Sequence, residues 1–285
     1  MALTIVGLCV LLYPSAASWF SARVHATAVN GYVHDVAALD DDVVQGVLAA
    51  AHEYNDRLPD GPLRDPYALD ADGSQSEIAG GRDGYEQLLG GLPGDVMARI
   101  RIPTIAVDLP VFHGTDENTL AQGAGHLYGS GLPVGGEGTH SVLTAHSGLV
   151  NSTLFTDLHE LQLGDVFTVT VLNEVLYYSV DQILTVEPNQ TDALRQIAGG
   201  DYVTLVTCTP IGINSHRLLV RGERIEPPAA GSIDRVAVTD DVIDPGFPWW
   251  VIGLLAGVLV ILVLTRPRSG RAQRTRDAAP EESQG

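Results

Sequence analysis

Lysine is absent: all 16 basic residues of this 285-residue chain are arginines. That excludes a Walker-type phosphate loop, a Schiff-base lysine and any isopeptide bond through a lysine of this chain. Cysteine is scarce. Cys9 and Cys208 are too few for a disulfide framework or a four-cysteine metal site. Positive charge is outnumbered by 35 acidic residues, and a net charge of -19 repels phosphate backbones, so no nucleic-acid partner is expected. No HExxH motif occurs and no histidine pair has ligand spacing, so neither a metal nor a cofactor is expected. The chain is nonetheless 45% hydrophobic and only 18% charged, a composition that folds.

Hydrophobicity is concentrated at the two ends. Residues 247–264 read FPWWVIGLLAGVLVILVL, 18 residues without a charge (264 − 247 + 1), close to the ~20 that span a bilayer as a helix. Trp249 and Trp250 suit the interface at its start, and Arg266, Arg268, Arg271, Arg274 and Arg276 follow it. The positive-inside rule puts residues 265–285 in the cytoplasm as a basic tail. Residues 1–20 form a second apolar segment, with Pro14 interrupting it and no basic residue before it. It reads as a membrane anchor or a cleaved signal, the anchor being favoured. Both readings place the intervening chain outside the cytoplasm. That intervening stretch holds 32 acids and 11 arginines, so the acidic excess belongs to it.

Residues 35–58 carry apolar positions at three- and four-residue steps and predict a helix within an N-terminal helical region, 21–62. Residues 63–94, rich in Gly and Asp, predict a long loop of the lid or binding kind. From residue 95 the pattern is β: 96–102, 105–112, 140–145, 165–172, 175–186, 202–208 and 216–225. Asn173-Glu174 suggests a hairpin turn, and 191–198 one or two helical turns. The stretches Gly123–Gly131 and Gly135–Gly138 lack the context of a nucleotide site and read as turns. Many short strands with few helices indicate a mainly β domain over 95–228, an antiparallel barrel or sandwich. Residues 229–246 read as a stiff linker to the span at 247–264.

Cys208 ends an apolar strand, and Arg217 opens the next strand nine residues later, so the two can sit side by side. A thiol nucleophile needs a proton partner or a depressed pKa, and a fixed guanidinium stabilises a thiolate or an oxyanion. The proton partner should be a histidine. His126, His140, His146 and His216 all lie in the β region, and spacing alone does not choose among them.

TLVTCTPIGINSHRLLVRG (204–222), IPTIAVDLPVFHGTDENTLAQGAGHLYGSGLPVGG (102–136) and SVLTAHSGLVNSTLFTDLHELQLGD (141–165) resemble the signature stretches of sortases, specifically the pilus-assembling class C. The resemblance implies a closed sortase-like β-barrel with short helices. It implies Cys208 as nucleophile, His146 as general acid and Arg217 as oxyanion and substrate stabiliser. It further implies that Asp65-Pro66-Tyr67 is a lid, with Asp65 on Arg217 and Tyr67 over Cys208. His126 would then be structural, and His216 would face away from the site. Ala145, Ser147 and Ile211 stand where the family commonly has Gly, Arg and an aromatic.

The implied reaction is cleavage of an LPxTG-like sorting signal between Thr and Gly through a thioacyl-enzyme. The acyl group then passes to a lysine amine of a pilin, the enzyme sitting in the cell membrane with its catalytic domain outside. The alternatives are a housekeeping-type sortase joining proteins to a cell-wall peptide, or a non-enzymatic membrane-bound assembly module.

Overall fold

The computed structural model describes residues 2–58, 63–67, 82–91, 95–228 and 244–265. The basic tail, most of the expected linker and residues 68–81 of the expected lid loop lie outside them. The chain forms two compact units, Pro14–Phe247 and the one that joins Met1–Tyr13 with the segment from Pro248 onward.

Helix α1 runs over Ala2–Ala37, with Pro14 inside it. Pro14 was expected to interrupt the segment, and it does not. A proline removes one backbone donor, but a helix continues past it where the rest of its ladder is intact. Helix α1 is the one described helix long and apolar enough to cross a membrane. Its second half is amphipathic: His25, Val29, Tyr32 and Val36, spaced by four, three and four residues, are buried. Val29 and Val36 each contribute about 1.5–3 kcal/mol by leaving water. The Tyr32 hydroxyl donates to the Met97 carbonyl (3.4 Å) and accepts from the Leu172 amide (2.5 Å), fixing this face to the β domain. The helix expected over 35–58 is broken at residues 38–40 and resumes as α2, Asp41–Asp56, which buries Val44, Leu48 and Ala51.

In the other unit, α5 covers Trp249–Leu264, 16 residues and so about 24 Å long. Gly257 lies against Leu8, where an added Cβ would come within 2.5 Å of the leucine methyl. Small residues of this kind let two apolar helices approach closely.

The Pro14–Phe247 unit contains a closed eight-stranded barrel in the order β1-β2-β3-β4-β7-β8-β6-β5. The strands are β1 (Val96–Ile102), β2 (Val107–His113), β3 (Ala124–His126), β4 (Thr139–Thr144), β5 (Val166–Val171), β6 (Glu174–Val186), β7 (Asp201–Thr209) and β8 (His216–Ile225). A wholly antiparallel sheet was expected, but β2–β3 and β4–β7 pair in parallel. The β5–β6 turn falls on Leu172-Asn173, one residue before the expected place, because Leu172 is buried and tied to Tyr32. Only one helical turn, Asp192–Leu194, forms within 191–198.

Three elements were not anticipated. Strand β3 lies in a stretch read as turns; its Gly125 backbone passes directly against the Gly114 carbonyl and Leu120, where a side chain would not fit. Helix α3 (Arg82–Gln87) lies inside the expected lid loop, and Tyr85 on it is buried. Helix α4 (Glu117–Gln122) joins β2 to β3 and is capped by Asp116, whose carboxylate accepts from the Asn118 and Thr119 amides at 3.0 and 3.1 Å.

Candidate active site

The strand order decides what meets at the barrel rim. Strands β7 and β8 are antiparallel neighbours, and Cys208 is registered opposite Arg217. Strands β4 and β7 are parallel, with Thr144 opposite Val206. The pairing continues past β4: the Ala145 amide donates to the Val206 carbonyl at 3.2 Å, and Ser147 Oγ donates to the Cys208 carbonyl at 2.6 Å. His146 therefore leaves the end of β4 level with Cys208. The far ends of β4 and β7 and the near end of β8 share one rim, which carries a thiol, an imidazole and a guanidinium.

The segment 63–67 lies across that rim. Asp65 takes both arms of the Arg217 guanidinium, at 2.8 Å from Nε and 2.7 Å from Nη2, with both side chains about nine-tenths buried. The Arg217 guanidinium carbon stands 4.9 Å from the centre of the Tyr67 ring, and the His146 ring 5.9 Å from it on another side. The Tyr67 hydroxyl donates to the Ala145 carbonyl at 2.7 Å, which also accepts from Thr207 Oγ1 at 2.7 Å. Tyr67 is thus a common neighbour of all three side chains, and Pro66 sets the chain direction between the two contacts.

The electrostatics keep the Cys208 thiol protonated in this arrangement. Burial pushes the Cys208 thiol above its ordinary value; Arg217 pulls it down, Asp65 works with burial, and the Tyr67 hydroxyl works with Arg217. Burial alone would lower Arg217, but its bonds to Asp65 outweigh that and the net direction is up. Tyr67, desolvated and beside Cys208, is pushed well above the ordinary phenol range, so it stays a donor. Lifting residues 65–67 would remove Asp65 and much of the burial together, leaving Arg217 beside the sulfur.

The four candidate histidines separate cleanly. His126 is wholly buried, its Nδ1 2.7 Å from the Tyr85 hydroxyl and its Nε2 2.8 Å from the Gly131 carbonyl. His140 lies at the opposite end of β4, between the Arg195 carbonyl (2.6 Å) and Thr204 Oγ1 (2.7 Å). His216 precedes Arg217 on β8 and contacts Ser215. His146 alone of the four neighbours Tyr67.

Two contacts were not foreseen. Ser147 ties the rim strands together through the Cys208 carbonyl. Glu117, on α4, brings Oε2 to 3.5 Å from His146 Nε2. No sequence signal marks Glu117 among so many acids. Around the rim, Val150 and Ile213 are exposed, and Gly148 (φ +71°) passes directly against Ile211. Among the described residues no group of three or more His, Cys, Asp or Glu could hold a metal ion.

Residues 100–225 match the sortase domain model. Over the described fold, the chain is similar to sortase C-1 from Actinomyces oris, 47% identical, with 65% of this chain and 99% of that one aligned and a TM-score of 0.61. The chain belongs to the sortase family. Sortase C-1 from Streptococcus pneumoniae aligns with 68% of this sortase and 96% of its own length, at 43% identity and a TM-score of 0.62. Sortase A of Bacillus anthracis is 29% identical over 130 residues, 46% of this chain and 60% of that protein. The structural neighbours are class C pilus sortases.

Proposed function

We propose that this sortase is a membrane-anchored class C cysteine transpeptidase that joins pilin subunits. Cys208 is the nucleophile, His146 the general acid and Arg217 the oxyanion and substrate stabiliser. The observation that carries this reading is the cross-strand pair Cys208–Arg217, with His146 brought level by the parallel β4–β7 pairing.

In the reaction, an LPxTG-like signal enters beside the apolar side chains Val150, Ile211 and Ile213 and displaces residues 65–67. The thiolate attacks the threonine carbonyl. Arg217, released from Asp65, stabilises the oxyanion, and His146 protonates the departing glycine amine. The lysine amine of a pilin then attacks the thioacyl carbonyl and regenerates the thiolate. Asp65, Pro66 and Tyr67 act as the lid over the site. The apolar first part of α1 and α5 anchor the enzyme, residues 229–246 link the domain to α5, the domain faces outward and the basic tail faces the cytoplasm. Mass spectrometry of the full chain with a sorting peptide tests the reading. A thioacyl adduct on the wild type that Cys208→Ala lacks is the expected result; retained cleavage by Cys208→Ala overturns it. A ladder of pilin oligomers, as opposed to one wall-linked product, separates this class from a housekeeping enzyme.

A further inference from the structure

We propose that Glu117 is the docking point for the cationic acceptor amine, and so a specificity-determining residue for the second half of the reaction. The inference rests on the transpeptidase reading above and concerns a residue which that reading leaves unused.

Helix α4 holds Glu117 in a fixed place. Asp116 caps the helix through the Asn118 and Thr119 amides and Thr119 Oγ1, and Thr119 and Leu120 are buried beneath it. From there the Glu117 carboxylate reaches 3.5 Å from His146 Nε2 while its side chain stays 82% exposed. Nε2 itself is buried and makes no hydrogen bond. The arrangement leaves an open carboxylate at the edge of the imidazole, where an incoming cationic group can reach it from solvent.

The charge layout of the rim agrees. Asp65, which neutralises Arg217, belongs to the segment that must move, whereas Glu117 belongs to a helix packed on the barrel. With residues 65–67 displaced, the site has a cation on the β8 side and an anion on the His146 side. The developing oxyanion goes to the first and an alkylammonium to the second. The chain has no lysine of its own, so the ammonium always arrives on another molecule.

The proton balance follows. After the first half-reaction His146 is neutral, having given its proton to the leaving amine. The docked ammonium gives one proton to His146, and its freed lone pair attacks the thioacyl carbonyl. The carbon–sulfur bond breaks to restore the Cys208 thiolate. The second nitrogen proton passes to water, leaving a neutral amide and the starting thiolate–imidazolium pair.

The test measures partition of the thioacyl-enzyme between hydrolysis and amine transfer, with the full chain in detergent. The acceptors are a peptide with a free lysine side chain and an acetylated N-terminus, a triglycine, and hydroxylamine, which is uncharged at neutral pH. Glu117→Gln should raise the KM for the lysine peptide about fivefold, and Glu117→Asp should restore part of it. Hydroxylamine transfer should change far less. An equal effect on triglycine assigns Glu117 to ammonium groups in general, and a smaller one to the lysine side chain; both support docking. An equal fall for hydroxylamine means that Glu117 only orients His146 and overturns the proposal, as does an unchanged lysine KM. Absence of any thioacyl adduct on the wild type would instead sink the transpeptidase reading itself.

Discussion

Among the aspartate–arginine pairs of this molecule, the two most deeply buried share one chemistry in different settings. Arg99 on β1 holds Asp108 on β2 at 2.7 and 2.6 Å, with side chains 1% and 3% exposed and nine residues apart in sequence. Arg217 on β8 holds Asp65 with the same two-pronged geometry, but 152 residues away. The first pair joins adjacent strands of a closed barrel and cannot part without opening it. The second joins the barrel to a short segment laid over its rim, where water could replace the carboxylate if that segment were to lift. Identical contacts therefore differ in consequence according to what must move to break them.

Removing one partner from each pair should separate the two most strongly. Asp108→Ala removes the two-armed carboxylate partner of a buried guanidinium and should cost about 3–5 kcal/mol, a fall in Tm of roughly 6–20 °C. Asp65→Ala should cost less than about 1 kcal/mol, because Arg217 is then hydrated in place. Equal losses in thermal denaturation would break the distinction.

Acid should act on the barrel and alkali on the rim segment. Burial lowers His126 to about 4, well below its unfolded value. Its contribution is therefore present above pH ~6.5 and lost as pH falls from there towards about 4, up to roughly 3 kcal/mol. Denaturation midpoints measured across that window should fall in the wild type and flatten in His126→Gln. Cys208 is raised by the closed segment, which is the opposite sign. Closure is fully present below the thiol's value in the open form and is lost as pH rises through its value in the closed form. Protection of Cys208 from a neutral alkylating reagent should thus weaken at alkaline pH, beyond the rise due to thiolate formation in an Asp65→Ala control.

Tyr67→Ala should show the smallest change in stability but a clear one in reactivity. Loss of its cation–π contact and its bond to the Ala145 carbonyl should speed Cys208 labelling about tenfold at fixed pH. An unchanged rate would mean that Tyr67 does not cover the sulfur.

Legibility in the sequence follows the same division between local and distant pairing. Strands such as 96–102 and 216–225 alternate plainly, and Cys208 with Arg217 flank one short connection, so their meeting was readable from spacing. Strand β3 was hidden because its Gly125 must be bare to pass the Gly114 carbonyl, which erases the apolar pattern a strand normally shows. Helix α4 is too short and polar for a periodicity, and Glu117 went unnoticed with it. The approach of His146 to Cys208 depends on a parallel pairing between segments some 60 positions apart, as the Ser147–Cys208 bond records. No local pattern encodes such a pairing: the strand end before Ser147-Gly148 pointed His146 to a rim, and the family resemblance supplied its role.

Because Asp65 is tethered to the arginine it occupies, dilution does nothing to loosen it. A ligand competing for that guanidinium faces an internal rival at an effective concentration on the order of millimolar. Sparse ligand would leave such a site shut, and crowding of ligand at one patch of membrane would turn it on, so the response depends on local density rather than on how much protein the cell makes.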